Sequence, residues 1–304
     1  MNRVAVVGDA LIDEIRDDRG VREFVGGAAL NVAVGLSRLG VPAVLIAMVG
    51  DDDEGERIRS YLNDYGVDLI ATPAPHGTAR AVSTRSAGGE PEYVFNEAAQ
   101  QRSIQFDSAA ADAIRQAPLV AVSCMALDDP NQVFGLATAL AGGSAMLAID
   151  PNPREGMMRD FSLFVSGFER LAAHADLVKI GADDATLLYE VPVDALSARL
   201  IEHGARAVLS TEGAAGASVE SNGDVATAPI SSLPGSIVDT MGAGDAVFAS
   251  VIAAVIRQWP EAVQSWSEVL HEAMDAAAAT CRFEGALLRL PSALDDLDLD
   301  RIGT

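Results

Sequence analysis

Short apolar segments alternate along the chain with longer segments whose apolar residues recur at helical spacing. The short segments are apolar throughout, which is typical of parallel strands covered on both faces of a sheet. Two intervening segments, Ala28–Leu39 and Glu54–Tyr65, predict helices, and each ends at a glycine. The predicted strands are Val4–Val7, Ala43–Val49, Leu119–Ser123, Met146–Ile149, Leu177–Ile180 and Ala207–Leu209. This alternation predicts an α/β fold with a doubly wound, mostly parallel sheet flanked by helices.

Two segments depart from this alternation. Residues 11–27 (LIDEIRDDRGVREFVGG) and residues 79–95 (ARAVSTRSAGGEPEYVF) alternate polar and apolar positions around a turn, so each predicts a β-hairpin. We expect the two hairpins to form a small β-sheet lid from about residues 10–26 and 76–98. Shorter strands follow residue 207 as a meander over Ala217–Val219, Val225–Ala228 and Ile237–Val238. With no repeat or linker evident, we expect one α/β domain over residues 1–304.

Charge and cysteine content narrow the partners and the compartment. The 304 residues include 21 Lys and Arg against 44 Asp and Glu, a net charge of −23. This charge repels nucleic acid and anionic membranes, so we expect neither as a partner. Cys124 and Cys281 show no metal-type spacing and fit a reducing compartment. The longest apolar run, Ala246 to Ile256, is too short to span a bilayer. We expect a cytoplasmic protein.

Several common chemistries lack their motifs. The only lysine, Lys179, lies in DLVKIG, and no GxxxxGK[ST], HRD or DFG occurs, which excludes P-loop NTPases and protein kinases. No GxSxG marks a hydrolase nucleophile, and the four histidines offer no zinc-ligand pair.

Residues 239–250, DTMGAGDAVFAS, carry the most informative pattern. Small residues at 242–244 before a predicted helix at Ala246 leave backbone N–H groups free to converge on an anion. Asp245 has three interpretations here. It caps the helix, or it accepts a proton from a hydroxyl that attacks the anion. Alternatively, the glycines belong to a dinucleotide fingerprint whose third glycine position is held by Val247.

This segment resembles the C-terminal signature of the ribokinase, or PfkB, family of small-molecule kinases. Residues 26–40, GGAALNVAVGLSRLG, resemble the family's N-terminal glycine motif and are followed by VGDDDEGERI. Further similar segments follow family order: GDALID at 8–13, DPNPR at 150–154, LVKIGADD at 177–184 and TEGAAG at 211–216. The resemblance covers about residues 3–291 and implies a ribokinase-like fold. GDALID and AIDPNPR are most similar to bacterial fructokinases, which implies ATP-dependent phosphorylation of a sugar, with the 6-hydroxyl of D-fructose as acceptor.

The resemblance also implies roles for individual residues. Asp245 matches the general base, and the anion hole for the γ-phosphate matches Gly242, Ala243 and Gly244. Residues matched to the sugar side are Asp13, Gly27 and Asn31, with Asp128 approaching from the lid and Arg154 meeting a phosphate. Short Asp and Asn side chains suit an acceptor that presents many hydroxyls.

Nucleotide and metal positions follow from the same resemblance. Thr211, Gly213 and Gly216 match the nucleotide loop. Asp184 matches a carboxylate that organises Mg²⁺ through water. Asp239, with the main chain at Met241 and the segment near Gly285, matches a site for a monovalent cation such as K⁺. Relatives often pair two lids, which implies a homodimer.

This sequence departs from the family pattern at several positions. Met241 replaces a common threonine, Gly181 replaces a polar residue, and Asp184 stands where a glutamate is usual. Asn96 lies near a position where hexose-specific relatives often carry arginine. Ribose, 2-keto-3-deoxygluconate and nucleosides are therefore alternative acceptors, and a catalytically silent sugar or nucleotide sensor is the alternative from another class.

Overall fold

The computed structural model describes residues 3–84 and 92–295 of the chain. Within them, nine strands form a large sheet and four form a separate smaller sheet. The strands of the large sheet are β1 (Val4–Gly8), β4 (Ala43–Met48), β5 (Asp68–Thr72), β8 (Leu119–Ser123), β9 (Met146–Asp150), β10 (Leu177–Gly181), β11 (Ala207–Thr211), β12 (Ala217–Ser221) and β13 (Asp224–Ala228). Those of the small sheet are β2 (Leu11–Asp17), β3 (Gly20–Gly26), β6 (Ala79–Thr84) and β7 (Glu92–Phe95).

The large sheet is mostly parallel. Its strand order is β13-β12-β11-β10-β9-β8-β1-β4-β5. All neighbours from β11 to β5 run parallel, with Val6 of β1 opposite both Leu45 of β4 and Ala121 of β8. The pairs β11–β12 and β12–β13 are antiparallel. The carboxyl ends of seven strands therefore meet at one edge, which is where open α/β sheets place their ligand sites.

Helices cover both faces of the large sheet, which explains why its strands are apolar throughout. One buried core joins the sheet to α1, α2, α9 and α10, and the other joins it to α4 through α8. The helices are α1 (Ala28–Arg38), α2 (Asp53–Asp64), α3 (Glu97–Gln100), α4 (Ser108–Gln116), α5 (Pro130–Leu140), α6 (Phe161–Ala172), α7 (Ala182–Tyr189), α8 (Val193–Glu202), α9 (Ala243–Arg257) and α10 (Val263–Thr280). The predicted doubly wound α/β architecture is confirmed.

The small sheet has the order β3-β2-β6-β7, and its strands come from the two segments predicted to form hairpins. Strands β2 and β3 pair antiparallel, as do β6 and β7, while β2 and β6 run parallel. The Gly-Gly turn predicted for the second hairpin lies outside the described residues. At the first hairpin, Arg19 Nη1 lies 2.8 Å from Glu284 Oε1, so its tip is tied to the loop that follows α10.

Three predictions about elements need correction. Residues Ile237 and Val238 do not form the predicted strand. Val238 donates its N–H to the carbonyl of Cys281 instead of pairing with a neighbouring strand. The pattern missed β5, whose exposed positions break the apolar run at the edge of the large sheet. Helix α9 begins at Ala243, one turn before the expected Ala246, because the small residues preceding the apolar run are already helical.

Both cysteines, Cys124 and Cys281, are buried and free, as expected. Across residues 3–84 and 92–295, no helix combines the length and apolar character needed to cross a membrane.

Candidate active site

A cleft of about 720 Å³ opens at the carboxyl edge of the large sheet. Its walls come from the ends of β10 and β11, the loop after β9, strands β2, β6 and β7 of the small sheet, and the first turns of α1 and α9. Chain segments distant in sequence therefore contribute polar groups to one space.

The first turn of α9 presents backbone N–H groups to this cleft. Gly242, the residue before the helix, has a left-handed conformation (φ 75°), and a Cβ there would lie 2.6 Å from Ala286 Cα. No protein acceptor within the described residues pairs with the N–H groups of Gly242, Gly244 or Asp245. Ala243 differs, because its N–H donates to the carbonyl of Thr240 at 3.3 Å. Three of these N–H groups, backed by the helix dipole, are available to an anion.

Asp245 lies in this same turn, at the third residue of α9. The helix has no side-chain cap, so the interpretation of Asp245 as a helix cap is wrong. One oxygen, Oδ2, accepts a hydrogen bond from Asn31 Nδ2 of α1 at 2.8 Å. Burial raises the pKa of Asp245 to about 6, while the Asn31 hydrogen bond and the cations Lys179 and Arg154 oppose that rise. Asp245 thus titrates just below neutral pH, which suits a general base.

Asp13, Asn31 and Gly27 meet at the end of the cleft formed by the small sheet. Burial raises the pKa of Asp13 to about 7, with the carboxylate of Asp9 adding to the rise. Asp9 accepts the N–H of Ala29 at 3.1 Å. Gly27 lies so close to the Asp9 backbone that a Cβ would be 2.9 Å from its carbonyl oxygen. This end of the cleft combines carboxylates and an amide, the groups that bind hydroxyls.

Arg154 is exposed within the cleft and is the arginine that lines it. It follows β9 in the DPNPR segment and opposes the raised pKa of both Asp13 and Asp245.

Asp128 is not brought to the cleft, contrary to the sequence expectation. Its side chain is fully buried, and Oδ2 accepts the N–H groups of Arg159 at 2.6 Å and Asp160 at 3.4 Å. These bonds hold the chain ahead of α6, so Asp128 has a structural role.

The nucleotide loop is only partly in the cleft. Thr211 and Gly213 line it, but Gly216 does not. Gly216 is buried against β13, where a Cβ would lie 2.2 Å from the carbonyl oxygen of Ala228. A glycine is therefore required at 216 because the backbone there lies too close to that of Ala228 for any side chain.

Asp184 and Asp239 are the two carboxylates that the sequence predicts as metal ligands. Asp184 lines the cleft, and its Oδ2 accepts the N–H of Gly181 at 2.7 Å, which caps α7. Asp239 accepts the N–H of Met241 at 3.1 Å and that of Gly285 at 3.4 Å. The structure thus brings Asp239, Met241 and Gly285 together. No cluster of three or more metal-binding side chains occurs within the described residues.

The analysis of the sequence missed one buried pair, Lys179 and Asp150. Lys179 Nζ lies 3.0 Å from Asp150 Oδ2, and the lysine lines the cleft. The available signal was a lysine inside an otherwise apolar strand, because a charge buried there requires a partner.

The sequence matches the pfkB family of carbohydrate kinases over residues 1–293. The chain belongs to the pfkB family of carbohydrate kinases.

This pfkB family member is 29% identical over 265 residues to a fructokinase of Rhizobium leguminosarum bv. trifolii, covering 82% of this chain and 78% of the relative. It is 24% identical to an ATP-dependent 6-phosphofructokinase of Thermoanaerobacterium thermosaccharolyticum, with 95% and 90% covered. A double mutant of the Vibrio cholerae O395 fructokinase, solved with fructose, ADP and a potassium ion, shares the fold with a TM-score of 0.78. That similarity spans 97% of both chains at 22% identity.

Replacing Asn31 is expected to raise the pKa of Asp245. The Asn31 amide donates to the charged carboxylate and thereby favours ionisation, so Asn31→Ala removes a stabilising contact of the anion. Carbon NMR of ¹³C-labelled aspartate should report a midpoint above the value of about 6 for the native protein. Ser37→Ala removes a hydrogen bond from the far end of α1 and serves as control. An unchanged midpoint in Asn31→Ala would contradict the assignment.

Gly216 and Gly213 provide a matched test of the nucleotide loop. Gly216→Ala places a methyl group against the Ala228 carbonyl, so we expect a loss of roughly 3 kcal/mol in the free energy of unfolding. Gly213→Ala meets no atom within 4 Å and should lose only about 1 kcal/mol for its left-handed backbone (φ 52°). Urea unfolding measures both, and equal losses would refute the structural role of Gly216.

Proposed function

We propose that this carbohydrate kinase transfers the γ-phosphoryl group of ATP to a sugar hydroxyl, with D-fructose as acceptor and fructose 6-phosphate as product. One observation carries the proposal. The carboxylate of Asp245 shares a helical turn with N–H groups of Gly242 and Gly244, which lack an acceptor among residues 3–84 and 92–295. A base and an anion-binding turn held side by side are what phosphoryl transfer to a hydroxyl requires.

In the proposed step, the acceptor oxygen forms a bond to the γ-phosphorus while the bond between that phosphorus and the ADP oxygen breaks. The hydroxyl proton passes to Asp245, and ADP leaves as the anion. The N–H groups of Gly242 and Gly244 donate to the transferred group as negative charge shifts over its oxygens. Because Asn31 holds Oδ2, the other oxygen of Asp245 is the one we assign to the proton.

The charges at the acceptor end favour a neutral sugar. Asp9 and Asp13 lie there with Asn31, and Arg154 is the cation beside them. Whichever of the two aspartates is ionised would repel a phosphate or carboxylate on the acceptor, which argues against fructose 6-phosphate and 2-keto-3-deoxygluconate. The fructokinase relative supports fructose among neutral sugars. Ribose and nucleosides, which are also uncharged at this end, are the alternative acceptors.

We assign ATP to the end of the cleft lined by Thr211 and Gly213. Asp184 would hold Mg²⁺ through water, since its Oδ1 has no protein partner within the described residues and carboxylate oxygens suit this ion. Bound Mg²⁺ neutralises phosphate charge. Asp239 would help to hold K⁺, and the potassium ion in the Vibrio cholerae fructokinase supports this assignment.

The small sheet is proposed to act as a lid and as a homodimer surface. Val21 on β3 and Val94 on β7 are 63% and 60% exposed, and these two strands are the edges of the small sheet. Exposed edges with apolar side chains favour pairing with a second copy. The free, buried cysteines agree with the proposed cytoplasmic location.

ATP consumption by the purified protein with Mg²⁺ and K⁺ tests the proposal. We expect turnover with fructose and little with fructose 6-phosphate or 2-keto-3-deoxygluconate. Asp245→Asn should reduce kcat about 10²- to 10⁴-fold, because the hydroxyl proton loses its acceptor. Asp128→Asn is the matched control, since this buried aspartate lies outside the cleft, and it should retain kcat and the KM for fructose.

The outcomes separate the alternatives. Turnover with ribose or a nucleoside alone would leave the role of Asp245 intact and replace fructose as the acceptor. Full activity in a folded Asp245→Asn variant would contradict its role as base. Binding of ATP without turnover of any acceptor would favour the silent sensor.

A further inference from the structure

Lys179 places a buried cation under the floor of the cleft. It is the only lysine in the chain and lies in the middle of β10, with the side chain 8% exposed. Burying an ammonium group costs several kcal/mol unless it is compensated, so a buried lysine at the cleft has either a structural or a chemical role.

The position of the ammonium group connects it to α9. Nζ lies 3.0 Å from Asp150 Oδ2 at the end of β9. It also lies 3.4 Å from the point that a Cβ on Gly244 would occupy. The ammonium is therefore directly beneath the helical turn whose N–H groups face the cleft. Because residue 244 is a glycine, no side chain at that position covers the ammonium group.

Lys179 is surrounded by three carboxylates, whereas an ion pair requires only one. Its pKa is raised, because Asp150, Asp184 and Asp245 together outweigh the opposing effect of burial. Lys179 is therefore protonated. Asp150 is its single ion-pair partner within the described residues and is itself completely buried, so it cannot reach a ligand. An ammonium has three N–H donors, and one carboxylate oxygen at 3.0 Å cannot satisfy all of them.

We propose that Lys179 is a catalytic residue that contacts the transferred phosphoryl group from beneath the first turn of α9, while Asp150 holds the ammonium in place. This inference rests on the proposed function. As the bond to ADP breaks, negative charge shifts onto the leaving oxygen of ADP and over the oxygens of the transferred group, and a fixed cation against those oxygens lowers the energy of the transition state. The lysine keeps its proton throughout, so the proton from the acceptor still passes to Asp245.

A purely structural role would make Lys179 a counter-ion for Asp150 and nothing more. The two roles differ when Asp150 is neutral. Asp150→Asn removes the buried carboxylate, and a structural lysine then has no function. A catalytic lysine still contributes its charge beside the phosphoryl group, near Asp184 and Asp245, although it is held less firmly than in the native protein.

The test compares Asp150→Asn with the double variant Asp150→Asn/Lys179→Met. Both lack the buried carboxylate, and methionine fills the space of the lysine stem without its charge. Asp150→Asn therefore keeps the ammonium without its ion-pair partner, whereas the double variant carries neither buried charge. We expect kcat with fructose to fall by roughly 10²- to 10³-fold from the single to the double variant, with the KM for fructose changed less than about threefold. Thermal unfolding checks that both variants are folded.

A second measurement does not depend on an acceptor. Calorimetry should show that the double variant binds ADP with aluminium fluoride and Mg²⁺ at least about tenfold more weakly than Asp150→Asn, while ADP alone binds both similarly. Equal kcat and equal affinity for the fluoride complex in the two variants would overturn the proposal. Loss of fluoride affinity in a protein that phosphorylates no sugar would support Lys179 and reject the proposed acceptor chemistry.

Discussion

A phosphate and a carboxylate repel each other, and the proposed reaction requires this cleft to hold both side by side. The carboxylate is Asp245, and we propose that the phosphate binds at the helical turn on which it stands. The repulsion is reduced by neutral N–H dipoles from the backbone and by a hydrogen bond from Asn31. The Asn31 hydrogen bond, with the cations Lys179 and Arg154, lowers the pKa of Asp245 and so favours the ionised form that a base requires.

The remaining architecture follows from this requirement. In a chain with a net charge of −23, few cations are available, and the cleft receives Arg154 on one side and Lys179 beneath it. Parallel strands bring DPNPR after β9, Lys179 on β10 and Thr211 on β11 to the same edge. The small sheet then adds Asp13 from a segment more than 200 residues away from Asp245. Each group lies on or next to a regular element, so its position is held by packing rather than by a loop.

The sequence predicted those features that leave a local pattern of residues, and it did not predict those that depend on contacts in the folded chain. The six apolar strands and the parallel sheet followed from burial on both faces, which leaves a direct trace in the pattern. The glycine-rich turn and Asp245 were predictable because only small residues allow several N–H groups to face one point. The roles of Asp128 and Gly216 were not predictable, since Asp128 depends on a contact with Arg159, 31 positions later in the sequence, and Gly216 on its exact distance from the Ala228 carbonyl across the β12–β13 pair. The Lys179–Asp150 pair was missed for the same reason, because neighbouring strands bring the two residues together.

A crystal structure with ADP, aluminium fluoride, Mg²⁺ and fructose tests the central claim most directly. The account predicts the fluoride complex within hydrogen-bonding distance of the N–H groups of Gly242 and Gly244, with one fructose hydroxyl against the free oxygen of Asp245. Fluoride bound away from α9, or a sugar whose hydroxyls do not reach Asp245, would contradict it.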